Sequence, residues 1–175
     1  MWNRIHNTLR AKVREKEGRH KHPTAGCLDS RSVKTTDVGG IERGFDAGKK
    51  VKGRKRHLLV DTLCLMLMVV VTAASVSDQA GAQQIFKRMR GICKKLRKEW
   101  VDGTYRGADL SQWVKEQYKI VLESVRSPTG QKGFVALPHR WVVERTFAWL
   151  KLFTLKNYAM EDGRNATVRE RVRSV

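Results

Sequence analysis

Apolar residues recur every three or four positions at the start of the chain, at Trp2, Ile5, Leu9 and Val13, with Arg and Lys between them. That spacing predicts a short amphipathic, basic helix over residues 2–17, with little beside it in the chain to pack on. A His/Lys/Pro/Gly stretch at 18–24 reads as a linker into a first strand at 25–33. Residues 35–56 hold several glycines and few large apolar side chains, the pattern of an exposed loop or edge ribbon. From Arg54 the pattern becomes two antiparallel strands about a tight turn at Asp61. The second of these is uniformly apolar, which predicts cover on both faces.

Further along, Ser77 and Asp78 are N-cap candidates for a helix over 79–89, whose apolar positions Ala82, Ile85, Phe86 and Met89 share one face. A strand ending at Asp102, a helix at 108–118, a fifth strand at 119–125, a Pro/Gly loop at 127–132 and a last helix from Arg140 complete the order. Three strands, helix, strand, helix, strand, helix predict an α/β fold: a mixed sheet of about five strands with flanking helices. The expected organisation is a basic helix and linker at 1–24, one compact domain at 25–155 and a poorly ordered polar tail at 156–175.

Charge narrows the function. Lys and Arg number 36 against 17 Asp and Glu, a net charge of +19, which implies a polyanionic partner and nucleic acid above all. The three cysteines, 37 and 29 residues apart, form neither a Cys-x-x-Cys motif nor a disulfide framework, as suits a reducing cytoplasm. His20, His22 and Cys27 lack a fourth ligand at regular spacing, so zinc is not expected. The apolar run at 63–76 is only 14 residues long, too short for a bilayer, and the first 19 residues lack the continuous apolar core of a signal peptide. No membrane partner is expected.

The candidate chemistry lies in carboxylates. Asp29 and Asp102 fall within or at the end of apolar strands, where a charge is costly unless a cation or partner accompanies it. Glu144 falls on the last helix, and at 100° per residue Arg140 lies about 40° to one side of it and Lys151 about 20° to the other. Three carboxylates with oxygen-only ligation would select Mg²⁺ or Mn²⁺ for phosphodiester chemistry. Spacing alone leaves Asp37, Glu42, Asp46, Asp61, Asp78, Asp109 and Glu123 as competitors; Asp61 reads as a turn residue, Asp78 as a cap, Asp46 as loop and Asp109 as first-turn helix charge. Phe147, Leu150, Trp141 and Val143 form the core-facing stripe of the last helix, and Trp149 reads as packing rather than as a base-stacking platform.

Four segments carry a resemblance: Leu-Asp-Ser-Arg-Ser-Val-Lys-Thr-Thr at 28–36, the basic run 48–62, Trp-Val-Asp-Gly-Thr-Tyr-Arg-Gly at 100–107, and Arg-Trp-Val-Val-Glu-Arg-Thr-Phe-Ala-Trp-Leu at 140–150. Together they resemble insertion-element transposases of the DDE class, a bacterial group with a ribonuclease-H-like catalytic domain. The resemblance implies that Asp29, Asp102 and Glu144 are the catalytic, metal-binding triad. Arg140 and Lys151 match the Arg and Lys of a Tyr-x-x-Arg-x-x-x-Glu-x-x-x-x-x-x-Lys signature. It implies metal-assisted strand cleavage at element ends followed by strand transfer, with element-end and target DNA as partners and a homo-oligomer or a full-length transposase as protein partner. DNA contacts are expected at Lys34, Lys49, Lys50, Lys52, Arg54, Lys55, Arg140 and Lys151. The departures are Leu137 in place of the signature tyrosine, Cys64 where relatives have a hairpin glycine, the lack of a preceding helix-turn-helix-like region, and a changed continuation after Lys151. These suggest a truncated copy, with a non-catalytic fragment that binds DNA or full-length transposase as the alternative.

Overall fold

The structure, a computed structural model, describes residues 1–35, 43–125 and 141–161. Its elements in chain order are α1 (Trp2–Lys16), β1 (Ala25–Lys34), β2 (Gly44–Asp46), β3 (Val51–Asp61), β4 (Met66–Ala73), α2 (Asp78–Met89), β5 (Lys98–Val101), a 3₁₀ turn (Gly103–Tyr105), α3 (Ala108–Tyr118), β6 (Val121–Ser124) and α4 (Trp141–Glu161). The expected loop at 127–132 and Arg140 and Leu137 lie outside the described residues.

The sheet runs β2-β3-β1-β5-β6, with β4 also on β3. Antiparallel pairing joins β1, β3, β2 and β4, and parallel pairing joins β1 to β5 and β5 to β6. This is the mixed sheet with flanking helices that the sequence predicts, enlarged by the short β2, which pairs with the start of β3 as an edge ribbon. Side-chain alternation sorts the core into two layers. Leu28 and Leu59 pack with Ala82, Ile85, Phe86 and Met89 of α2 and with Leu110 and Val114 of α3. Cys27, Leu58 and Val60 point to the other face, against Val142, Val143 and Phe147 of α4.

Four expectations need correction. β4 bonds to β3 alone among the described strands, and Val69 and Val71 are 37% and 43% exposed, so its apolar run is not covered on both faces. α4 docks over β3 and β1 and leaves that edge open. The outer face of α4 carries Trp141, which is half exposed and lies against the Arg145 guanidinium, while Val142 takes the buried place expected for it. α4 also continues to Glu161, beyond the domain limit expected at residue 155.

The fourth concerns α1, which forms as predicted but with its faces inverted. Ile5, Leu9 and Val13 are exposed, whereas Arg10 and Arg14 are buried. Arg14 forms a buried ion pair with Asp61, and Arg10 donates to the Met66 carbonyl at 3.4 Å. Asp61 also accepts from the amides of Leu63 and Leu65, each at 2.9 Å, so one carboxylate closes the β3–β4 turn and anchors a helix 47 residues away. A buried pair of this kind is demanding because removal of either partner leaves the other charge without compensation.

On the α2 side of β3 sits a second polar group. The His57 ring is fully buried, with Nε2 3.0 Å from Thr72 Oγ1, and α2 packs on it through Gly81, where any side chain would run into the imidazole. Burial, aided by Lys55 and Lys49 against the pull of Asp78, holds the His57 pKa down to about 4.

Asp61→Ala is expected to lower unfolding free energy by about 3–5 kcal/mol in urea titrations, with Asp109→Ala as the near-neutral surface control. A loss similar to the control would show that α1 is not held by the ion pair. His57 gives a pH signature. Its folded pKa lies below the unfolded value of 6.5, so its share of stability is complete above pH 6.5 and is lost as pH falls toward 4. The loss should be about 3 kcal/mol in wild type, and His57→Gln should flatten stability over that window in urea midpoints.

Candidate active site

Strand register relates the positions of the two aspartates. β1 and β5 pair in parallel as Ala25 with Lys98, Gly26 with Glu99 and Cys27 with Trp100. Carried two residues past that last pair, and one past the end of β5, the same register would set Asp29 level with Asp102. Both share the parity of Cys27 and Trp100, whose side chains lie on the α4 face of the sheet. β5 ends at Val101, so Asp102 stands where the chain leaves the sheet, while β1 continues to Lys34.

Local hydrogen bonds orient each carboxylate. Asp29 Oδ1 accepts from the Ser30 amide at 2.7 Å. Asp102 caps the 3₁₀ turn: its Oδ1 accepts from the Thr104 amide at 2.7 Å and from the Thr104 hydroxyl. Both aspartates are half-buried. Tyr105, at the end of that turn, is buried, and its phenol is pushed far up by burial and by Asp29, Asp78 and Asp102, three carboxylates that share its surroundings.

Glu144 lies in the first turn of α4 and is exposed. The helix is seated over the aspartate face by Val142, Val143 and Phe147, and Thr146 Oγ1 donates to the Cys64 carbonyl at 2.9 Å. Arg145 is sandwiched on the outer surface, 5.5 Å from the Trp141 ring and 4.8 Å from that of Trp149. Trp149 therefore stacks on a cation and is neither core packing nor a clear base platform. Among the described residues, no group of three or more His, Cys, Asp or Glu side chains is gathered closely enough to hold a metal ion. The structure thus carries Asp29 on β1, Asp102 just past the end of the neighbouring β5 and Glu144 on the helix packed over the Cys27 and Trp100 face, without drawing all three into one cluster among the described residues. The donor set is carboxylate oxygen throughout, which fits a hard divalent cation such as Mg²⁺ or Mn²⁺.

Of the cations expected to contact DNA, Lys34, Lys49, Lys50, Lys52 and Lys151 are exposed and Arg54 is half-buried. Lys49 also reaches the Ser30 carbonyl at 3.4 Å. Lys55 is a correction. It is 6% exposed, and its ammonium lies 3.1 Å from Asp78, 3.4 Å from Asp46 and 2.8 Å from the Val76 carbonyl. Alternation along β3 turns it inward, away from any phosphate.

Around Lys55, Ser30 Oγ donates to Asp78 at 2.6 Å and Ser32 Oγ to Asp46 at 2.5 Å. The Ser32 bond, the Lys49 amide and Lys55 outweigh burial and hold Asp46 down at about 2. At Asp78, burial pushes the pKa up, but Ser30, Lys55 and Lys49 prevail and hold it low. This network sits directly beneath Asp29. Sequence reading assigned Asp46 to a loop and Asp78 to a cap; the even-numbered Ser30, Ser32 and the polar Lys55 and His57 on facing strands were the signal of a buried polar layer. Glu99 was also missed: it is fully buried beside Gly26, and burial raises its pKa well above its ordinary value.

A family model described as a transposase DDE domain matches residues 20–169. Among curated proteins nothing matches. Similar solved structures include the magnesium complex of the HTLV-2 integrase catalytic core domain, in trimeric and dimeric forms. Each shows 16% identity and a TM-score of 0.48 over 87% of this chain, and over 82% and 83% of the respective integrase chains. A piggyBac transposase synaptic complex with hairpin DNA shows 14% identity and a TM-score of 0.44; the match covers 65% of this chain and 25% of that one. Among the described residues no helix is long and apolar enough to cross a membrane. The family match takes in β1, β5 and α4 with all three carboxylates, and the chain belongs to the family of transposase DDE domains, a family of DNA transposases.

Proposed function

We propose that this chain acts in DNA transposition by metal-dependent strand cleavage and strand transfer at element ends, with Asp29, Asp102 and Glu144 as its catalytic, metal-binding residues. The observation that supports the reading is the β1–β5 register, which, carried two residues past Cys27 and Trp100, would set Asp29 level with Asp102 on the sheet face that α4 covers. Bound Mg²⁺ or Mn²⁺ would supply a Lewis acid for the phosphodiester and lower the pKa of water. The chain supplies the rest. Asp29 and Asp102, whose oxygens accept from the Ser30 and Thr104 amides, would hold the cation, and Glu144 would add a third carboxylate from α4. Arg140 and Lys151 contact phosphate and offset its charge, a role for which a guanidinium fork and an ammonium are both suited. Lys34, Lys49, Lys50, Lys52 and Arg54 line the β2–β3 ribbon and the end of β1 as the track for the DNA backbone. Element ends and target DNA are the substrates, in the cytoplasm, as the free thiols of Cys27, Cys64 and Cys93 suit. A second copy or a full-length transposase is the protein partner.

One observation favours a second reading. Because no three-carboxylate group is gathered among the described residues, the chain would on that reading bind DNA or a full-length transposase without cutting.

A nicking assay in Mn²⁺ on end-containing DNA separates the two. Asp29→Asn, Asp102→Ala and Glu144→Gln should each lower the rate by about 10²-fold or more. Equal DNA binding with no nicking by wild type would instead establish the non-catalytic reading. For the DNA track, Lys50→Gln and Lys52→Gln should each weaken binding alike on all sequences and reduce the salt slope by about 0.9. Lys55→Gln should leave that slope unchanged and lower the urea midpoint. A sequence-selective loss at Lys50 or Lys52 would count against phosphate contact there.

A further inference from the structure

The parallel strands β1 and β5 give the domain two distinct ends, with Asp29 and Asp102 toward one and Ala25 and Lys98 at the other. α2 runs back between them. Asp78 at its start meets Ser30, and its 12 residues carry the chain about 17 Å to Met89. At that far end three segments meet: the linker at 18–24, the end of α2, and the loop leading into β5. Backbone bonds stitch them together, with the amides of Arg97 and Lys98 donating to the Thr24 carbonyl at 2.8 and 3.2 Å. Arg14 Nε donates to the His20 carbonyl at 2.8 Å, and Lys95 Nζ lies 3.2 Å from His20 Nε2. Pro23, Met89, Cys93 and Leu96 are buried between them and fix the frame.

On that frame Arg19, Lys21, Arg88, Arg90, Lys94 and Lys95 are all exposed. No Asp or Glu occurs at 18–28 or at 79–98. None of the ion pairs among the described residues includes any of the six. Like charges are felt locally: slight burial and the charges of Lys21, His20, Lys95 and Arg10 together hold the His22 pKa down. The negative end of the α2 dipole favours cations at Arg88 and Arg90 but does not reach the linker. The same segments expose no large apolar side chain, which argues against insertion into a lipid surface.

We infer that Arg19, Lys21, Arg88, Arg90, Lys94 and Lys95 form a second docking surface for duplex DNA, at the end of the domain remote from Asp29 and Asp102. None of the six belongs to the DNA track proposed for the β2–β3 ribbon. The choice of duplex DNA over other polyanions rests on the transposase reading. The surface lies about a helix length from the aspartates, at the opposite end of the parallel strands, and on this inference it holds a different DNA segment from the one held for cutting. Each domain thus holds two duplex segments, one at either end.

The test is stoichiometry, measured with the full chain by sedimentation against a short duplex about one helical turn long. Wild type should take up two duplexes. The Arg90→Gln/Lys94→Gln/Lys95→Gln variant should take up one, and Lys50→Gln/Lys52→Gln should also take up one while keeping the remote surface. The triple variant should reduce the overall salt slope by about 2.7. Its three substitutions lie at exposed positions, and an unchanged thermal midpoint will show that folding is retained. A single duplex on wild type, or two on the triple variant, overturns the inference. So does a triple variant that loses binding to phosphatidylglycerol vesicles while its duplex uptake is unchanged. Two duplexes on wild type with no nicking by any form would support this surface and sink the catalytic reading, so the two failures are distinguishable.

Discussion

The parallel pairing of β1 with β5 is the constraint on which the site depends. A one-residue slip would turn Asp102 to the opposite face from Asp29, because side chains alternate with a period of two. Register is protected by what flanks it. Gly26 faces Glu99 across the ladder, where a side chain would meet both the Val60 carbonyl and the Glu99 carboxyl, and Cys27 and Trp100 are packed with the α4 layer. Two carboxylates carried level on neighbouring strands would repel, and a divalent cation would relieve that repulsion. Burial raises the Glu99 pKa on the opposite face of the ladder.

Beneath the aspartates the fold keeps its charges balanced by direct contact. Lys55 lies between Asp46 and Asp78, and Ser30 and Ser32 donate to the same two carboxylates. Ser30 follows Asp29 directly, so the network on the α2 face and the carboxylate on the α4 face share one stretch of β1. A buried lysine costs desolvation energy that only such partners offset. Lys34, Lys49, Lys50 and Lys52 are exposed, and their share of the chain's net charge of +19 lies where polyanions can reach it.

Much of this was legible in the sequence where periodicity and chemistry agree. α3 at Ala108–Tyr118 and the apolar face of α2 follow from spacing, Ser77 caps α2 as its side chain predicts, and Asp61 is the turn residue it reads as. What was not legible depends on neighbours remote in sequence. The apolar stripe of α1 predicts a helix but not that Asp61 would draw Arg14 inward and turn Ile5, Leu9 and Val13 to solvent. The run of apolar residues in β4 cannot report that α4 stops short of the sheet edge. Lys55 looks like its neighbours Lys52 and Arg54 until strand alternation and two aspartates bury it. Asp29 and Asp102 were legible as acids within or at the end of apolar strands, and the parallel register of those strands was not. The arrangement of Glu144 depends on how α4 is seated, which no local pattern encodes.

That seating runs through the β3–β4 turn. Cys64 has φ of 64°, the left-handed region in which a non-glycine residue costs about 1 kcal/mol. A glycine would relieve the strain but would also remove a thiol that is 3% exposed and packed with Val142, Val143 and Phe147. Burial of a small apolar side chain offsets a cost of that size. The same turn presents the Cys64 carbonyl to Thr146, two residues after Glu144. Strain in the hairpin is therefore exchanged for a defined contact with the helix, and the turn that Asp61 closes on one side positions, on the other, the element bearing the third carboxylate.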